Sequence, residues 1–197
     1  MRQPLSKLLV LLSLAAPVPA ARAHAGLAIG AAVGTAKVVG TGSDGLALGV
    51  STQARVGYSI GLPLLTVTPE AVFGWTRWGV DDADASAKSL RLMAGGRASL
   101  GGVVSPGAFV HVGYMRNASD GILRGQALST SQNGVSFEVG GDLAIELSLV
   151  RLGVYLAYNR GSLGDAEITA GGRTTTAPGK DDAASWVDAG VTASLSF

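Results

Sequence analysis

The side chains of this sequence that could take part in catalysis or binding are ionisable groups. They lie on the polar face of segments in which apolar and polar residues alternate. A histidine near carboxylates can act in general acid–base or nucleophilic catalysis, and clustered carboxylates can bind hard cations. The same groups can instead pair with one another and fill an interior without reacting. The set comprises Arg55, Glu70, Arg91, Arg97, His111, Glu138, Asp142, Glu146, Arg151 and Asp188.

Eight segments of alternating residues carry these groups. The second segment is typical, with Leu48 and Val50 on one face and Ser51 on the other. A period of two residues is the pattern of a β-strand with one apolar face. The segments provide the roughly 9–11 residues that a tilted strand needs to cross a bilayer. They span residues 27–38, 46–60, 65–76, 90–100, 108–115, 136–147, 151–159 and 187–197.

The connections between the segments alternate in length. Short turns on one side, long loops on the other and an even number of strands are typical of a bacterial outer-membrane barrel. The sequence therefore predicts an all-β fold, an eight-stranded antiparallel up-and-down transmembrane β-barrel. We expect short turns at residues 61–63, 101–106 and 148–149, and long polar loops at residues 40–45, 79–87, 117–133 and 161–185.

The distribution of polarity predicts which face of the barrel meets lipid. One face of all eight segments is almost wholly aliphatic or aromatic, and the ten ionisable groups named above lie on the other. A ligand-binding calyx in water would have the opposite arrangement, with the apolar face inside. Charged groups in a narrow barrel can pair with one another and with trapped water. We therefore expect them to form a charge network in the lumen, and the inward glycines leave room for a narrow water or ion path.

Residues 1–25 have the composition of a cleaved secretory signal peptide. Basic residues precede an apolar run at residues 8–16 that is too short to span a bilayer as a helix. A-x-A spacing follows, with cleavage after Ala23 or Ala25. We expect a single barrel domain over residues 26–197.

The composition of the exported chain excludes several classes of function. Loss of Arg2, Lys7 and Arg22 with the signal peptide leaves twelve basic residues against fourteen acidic ones, so nothing favours nucleic acid binding. The sequence contains no Cys, which excludes disulfides and thiol chemistry.

A repeated tripeptide predicts a membrane rim. "WTR", "YMR" and "YNR" each place an aromatic residue and an arginine two positions apart on the apolar face, just before a long loop. Aromatic rings favour the head-group boundary, and guanidinium groups can bind phosphate there. We expect these residues to contact lipopolysaccharide of the outer leaflet. They are Trp75, Arg77, Tyr114, Arg116, Tyr158 and Arg160, together with the outward Lys37 of the first segment.

The final segment alternates as far as a terminal aromatic residue, with Val191, Ala193, Leu195 and Phe197 on its apolar face. This ending resembles the C-terminal signal of bacterial outer-membrane proteins, and the chain as a whole resembles small barrels of the OmpA and OmpX type. The stretch "GLPLLTVTPEAVFGW" is similar to the second hairpin of that barrel family. The resemblance implies delivery to the barrel assembly machinery and residence in the Gram-negative outer membrane.

We expect a structural or adhesive role, with a narrow-pore porin as the alternative. An enzyme is the remote alternative, because lipid-deacylating barrels carry an H-x-S arrangement whereas His111 is followed by Val112 and Gly113. We expect no cofactor and no metal, although the acidic run "DDAD" at residues 81–84 lies in a loop and carboxylates can hold calcium. The long loops could bind an extracellular ligand, and we expect a monomer.

Overall fold

The protein is described by a computed structural model that covers residues 25–40, 46–80, 85–123, 126–178 and 183–197. Residues 1–24 are outside the described residues, so the signal peptide stays a prediction. The described chain is built from strands. They are β1 (Ala25–Val38), β2 (Gly49–Gly61), β3 (Leu65–Gly79), β4 (Ser86–Leu100), β5 (Val104–Leu123), β6 (Gln126–Leu147), β7 (Val150–Ala170), β8 (Arg173–Ala177) and β9 (Ala183–Ser196).

Eight of these strands close into a ring. Each of β1 to β6 pairs antiparallel with the next, β7 pairs with β9, and β9 pairs with β1 from Ala28↔Ser196 to Val38↔Trp186. The predicted eight-stranded antiparallel barrel is confirmed. The short strand β8 was not predicted; it pairs only with the end of β7 and lies outside the ring. Among the described residues, no helix is long and apolar enough to cross a membrane.

Alternation determines the two faces of the wall. On β4, Leu92 is 62% exposed on the outer face, whereas its neighbour Met93 is 2% exposed on the inner face. Exposed leucine, isoleucine, valine and phenylalanine side chains cover the outer face on every barrel strand. Such a surface is stable only against lipid, and a closed ring leaves no unpaired backbone there.

The connections at one end of the barrel are short, at residues 62–64, 101–103 and 148–149. Gly102 and Ser148 have φ of 145° and 57°, which the tight reversals require. The predicted turn at residues 101–106 is too long, because Pro106 belongs to β5 and pairs with Leu143. Proline is tolerated there because the pairing of β5 with β4 starts only at Gly107.

At the other end, three strands continue past the barrel. β5, β6 and β7 have 20, 22 and 21 residues, whereas β1 to β4 have 13 to 15. The prediction of loops at residues 117–133 and 161–185 is therefore wrong in large part. β5 and β6 remain paired as far as Leu123↔Gln126, and β8 adds a fourth strand. We call residues 118–123, 126–132, 163–170 and 173–177 the projecting sheet.

Candidate functional site

The lumen is where the structure brings the sequence-predicted ionisable groups together. They project inward from β2, β3, β4, β5, β6, β7 and β9, whereas the inward positions of β1 as far as Ala36 hold only glycine and alanine, such as Ala32 and Ala36. Small side chains on one wall leave space for long arginine side chains from the opposite wall. The result is an interior filled with side chains, as expected for eight strands.

Ion pairs run along the barrel in one continuous chain of alternating sign. In its upper half, nearer the projecting sheet, Arg91 bridges two carboxylates, with Nη1 3.2 Å from Oε2 of Glu138 and Nη2 3.4 Å from Oδ2 of Asp188. All three side chains are 0% exposed. Buried charges of this kind are stable only when each has a partner, so the three groups depend on one another.

The lower half of the chain continues towards the short turns. Arg97 lies 3.3 Å from Oε1 of Glu70 and 2.9 Å from Oδ1 of Asp142. Arg151 lies 3.0 Å from Oδ2 of Asp142 and 3.7 Å from Oε1 of Glu146. Glu146 is 41% exposed, so the chain of charges ends at the mouth of the barrel.

His111 joins the two halves. Its Nδ1 is 2.9 Å from Oε1 of Glu138, and its Nε2 is 2.9 Å from Oε1 of Glu70. A carboxylate only accepts, so both ring nitrogens are satisfied when both carry a proton, which is the imidazolium form. In that form His111 and the four inward arginines balance the five inward carboxylates of the described lumen.

Neutral polar side chains complete the network, and the sequence analysis did not select them. Gln53 donates to Oε2 of Glu138 at 2.9 Å and accepts from Nη2 of Arg55 at 2.6 Å. Asn159 donates to Oδ2 of Asp188 at 3.1 Å and accepts from Arg91. Both residues lie at positions that point into the lumen, as the charged positions do, and this alternation is the signal that could have identified them.

An apolar cap closes the upper mouth of the lumen. Trp78 and Trp186 meet edge to face with ring centroids 5.6 Å apart, and both pack with Met115 and Ala36. The guanidinium of Arg91 lies 5.0 Å from the ring centroid of Trp186, so the cap rests on the charge network through a cation–π contact. The cap was not predicted from the sequence, although both tryptophans lie at positions that point into the lumen.

The inward glycines accommodate large neighbours. A Cβ at Gly74 would lie 3.1 Å from Nε of Arg91, and one at Gly140 would lie 2.5 Å from the ring of Phe109. Phe109 in turn packs beneath Arg97, 4.7 Å from its guanidinium. The space that these glycines leave is therefore occupied by protein.

His111 is held on both sides by the network. Both nitrogens of the only described histidine already contact carboxylates, so none is available to activate a nucleophile. Within the part of the chain that the structure describes, no group of three or more acidic or histidine side chains is arranged to hold a metal. The acidic run at residues 81–84 is outside the described residues.

The predicted rim residues lie on the outer face near the upper end of the barrel. Tyr114 donates to Oδ1 of Asn133 at 2.6 Å, and Tyr158 donates to Oγ of Ser185 at 3.1 Å. Lys37, Arg77, Arg116 and Arg160 lie on this face with them, and Trp75 is half-buried.

A further outward cation, Lys88, was missed. It lies 3.0 Å from Oδ2 of Asp120, and this hydrogen bond, with one from Ser129, holds the pKa of the Asp120 carboxyl below its ordinary value.

The predicted assembly signal lies on β9 and at its end. Val191 and Leu195 point outward and are 55% and 43% exposed, and Ala193 shares their parity. The backbone N–H of Phe197 donates to the carbonyl oxygen of Leu27 at 3.0 Å, and Leu27 pairs with Tyr58. Both aromatic side chains are thus exposed at the lower rim.

Comparison with known proteins agrees with this geometry. The family model described as "Outer membrane protein beta-barrel domain" matches residues 6–194. Neisserial surface protein A has a similar structure, with a TM-score of 0.57 and 17% identity over 88% of this chain and 99% of that one. A major outer membrane protein from Thermus thermophilus has a TM-score of 0.59 and 14% identity, covering 88% of this chain and 100% of that one. No curated protein matches the sequence significantly.

Proposed function

The chain belongs to the outer membrane protein beta-barrel domain family and is an integral protein of the Gram-negative outer membrane, and we propose that it is a closed, non-catalytic barrel that presents an adhesive sheet at the cell surface. In this proposal the membrane-spanning part is an anchor. The projecting sheet is the part that meets an extracellular ligand.

The observation that carries the proposal is the filled lumen. Buried side chains of opposite charge contact one another from Asp188 near the upper mouth to Asp142 near the lower one. The Trp78–Trp186 cap lies above them. Passage of a solute would require desolvated ion pairs to separate, which costs several kcal/mol per pair. This favours a non-conducting barrel over the narrow-pore porin.

The projecting sheet supports an adhesive role. None of its residues with a described side chain is buried, and Ile122 is 65% exposed. Among the described strands β8 pairs with β7 alone, so its other edge presents backbone donors and acceptors to any segment that adds there. An exposed edge of this kind can add an extended segment of another protein as a further strand.

Two measurements test the proposal. The refolded chain, checked by heat-modifiable gel mobility, is inserted into a planar bilayer, and we expect no steady single-channel steps. Regular steps would overturn the closed barrel and favour the porin.

The second measurement uses a shortened hairpin. Replacement of residues 119–130 by Asn-Gly joins Ala118 to Ser131, which already face each other. Cells that express this variant should lose adhesion to immobilised matrix protein and cultured epithelial cells, whereas Lys37→Gln, outside the sheet, should retain it. Equal adhesion by all three chains at equal surface levels would contradict the adhesive role.

A further inference from the structure

The outward cations are unevenly distributed around the barrel, and strand register shows how. Arg77 on β3 lies directly opposite Lys88 on β4. Lys88 in turn lies opposite Ala118 on β5, two positions from Arg116. Directly opposite side chains on a sheet have Cβ atoms about 5 Å apart, and diagonal neighbours are about 7–8 Å apart. Arg77, Lys88 and Arg116 therefore form one group, which we call the cationic patch.

The remaining outward cations of the described barrel wall stand apart from the patch and from each other. Arg160 on β7 lies opposite Phe137 and Ser185, and Lys37 on β1 lies opposite Val187. The strand β9 separates these two residues. The sequence pattern treats all four rim cations alike, whereas the register concentrates positive charge on β3 to β5.

The cationic patch carries an excess of positive charge. Like charges directly opposite each other destabilise a sheet unless an anion lies between them. Within the described ranges Lys88 pairs with Asp120, and no carboxylate there forms an ion pair with Arg77 or Arg116. The patch thus retains two arginines that can each bind an oxyanion in a bidentate manner.

Apolar and aromatic side chains lie directly below the patch on the same outer face. Trp75 and Arg116 lie on either side of Leu90, and one step further down Phe73 and Tyr114 lie on either side of Leu92. Leu92, Tyr114 and Phe73 are 62%, 53% and 48% exposed. From top to bottom, the cations come first, and aromatic and aliphatic side chains follow side by side. A phosphorylated lipid presents the complementary order from head group to acyl chain.

We propose that the outer face of β3 to β5 is a specific binding site for a phosphorylated lipid of the outer leaflet, lipopolysaccharide. Arg77 and Arg116 bind its phosphate oxygens, and Lys88 adds a third positive charge. The rings of Trp75 and Tyr114 and the side chain of Leu92 contact its acyl chains. Arg160 and Lys37 contribute only general attraction to the membrane surface. The site goes beyond the anchoring role of the barrel because it selects one lipid on one side of the wall.

Matched double variants test the site. Arg77→Gln/Arg116→Gln and Lys37→Gln/Arg160→Gln each remove two outward cations, and neither touches the lumen. Each full-length chain is extracted from outer membranes in mild detergent, and lipopolysaccharide per barrel is measured. We expect Arg77→Gln/Arg116→Gln to retain at most about one third of the lipopolysaccharide that the unmodified chain retains. We expect Lys37→Gln/Arg160→Gln to retain the same amount as the unmodified chain.

Refolding in vesicles distinguishes the lipid from free phosphate. The thermal midpoint is measured in phosphatidylcholine vesicles alone, with lipopolysaccharide, and with inorganic phosphate in solution. We expect lipopolysaccharide to raise the midpoint of the unmodified chain and of Lys37→Gln/Arg160→Gln, but not that of Arg77→Gln/Arg116→Gln. Equal losses in both variants, or an equal rise with inorganic phosphate alone, would overturn the proposal. If Arg77→Gln/Arg116→Gln lacks heat-modifiable mobility, it is replaced by Arg77→Lys/Arg116→Lys, which keeps the charge and loses the bidentate geometry. A full lipopolysaccharide shift of the thermal midpoint in that variant would also overturn the proposal.

Discussion

Strands β5, β6 and β7 line part of the lumen and continue into the projecting sheet, yet their side chains are in opposite situations in the two regions. Inside the ring, His111 and Glu138 are enclosed and held by named partners at hydrogen-bond distance. Outside the lumen, Asp120 of the projecting sheet and its partner Lys88 at the upper end of β4 are each 51% exposed. The ladder between β5 and β6 runs unbroken through both regions, so the difference arises from closure of the ring. Closure of the ring removes polar side chains from water, so each of them becomes a necessary partner of another buried group.

This difference has an energetic consequence. A charge in the ring that loses its partner stays desolvated, whereas a charge in the projecting sheet regains water. Substitutions of the same chemical kind should therefore have unequal effects in the two regions.

The largest expected effect is that of Arg91→Met. It leaves Glu138 and Asp188 without their shared cation, and we expect the free energy of unfolding to fall by about 3–5 kcal/mol. Lys88→Met, three residues earlier on the same strand but outward and exposed, should cost at most about 1 kcal/mol. Urea unfolding of both variants in vesicles, followed by tryptophan fluorescence, measures the two values. Equal losses would remove the distinction between the regions.

A smaller effect is expected for His111→Gln. The amide directs its NH2 group to one side and its carbonyl oxygen, which cannot donate, to the other. It therefore satisfies one carboxylate and carries no charge, and we expect a loss of about 1–3 kcal/mol. The double variant His111→Gln/Glu70→Gln removes one carboxylate as well and should recover part of that loss. If the double variant is less stable than His111→Gln in the same unfolding experiment, charge balance does not explain the role of the histidine.

The smallest effect is expected for Asp120, an exposed carboxylate of the projecting sheet. Because Lys88 and Ser129 hold the pKa of Asp120 below its ordinary value, the carboxylate stabilises the fold above that ordinary value and loses this contribution as the pH falls through the lowered pKa. Asp120→Asn should lower stability at neutral pH by at most about 1 kcal/mol.

The gap between the unmodified chain and Asp120→Asn should narrow as the pH falls below the ordinary pKa of an aspartate, vanish once the pH is below the lowered pKa, and also vanish in about 1 M salt. Thermal unfolding of both chains across this range checks it. A gap that persists in acid would mean that Asp120 acts through something other than its charge.

Much of the barrel could be predicted because membrane and lumen impose opposite polarity on alternate residues. The inward position of Arg91, Glu138 and Asp188 follows from parity alone. Their pairing does not, because it depends on which strands lie across the ring and on their relative height. The neutral partners Gln53 and Asn159 were not selected because uncharged polar residues are common on any strand.

The projecting sheet could not be predicted from alternation. Residues 117–133 have no consistent apolar face, because neither side of this hairpin is buried. Their strands are held by backbone pairing with each other and with β7, which leaves little trace in side-chain pattern. A register irregularity between Gln132 and Gly134 further shifts the parity where the sheet leaves the barrel.

The pairing of Arg91 with Asp188 joins residues 97 positions apart in the chain, and that of Ser51 with Asp188 joins residues 137 positions apart. Both contacts, and the cap residue Trp186, depend on β9 being docked between β7 and β1. Before β9 docks, Arg91 lacks one of the two carboxylates that it bridges, and docking supplies Asp188 as the second. Removal of β9 must rehydrate Asp188 and leave Arg91 with Glu138 alone. The seam between β1 and β9, which closes the ring, is thus held from within by a charge that β9 contributes.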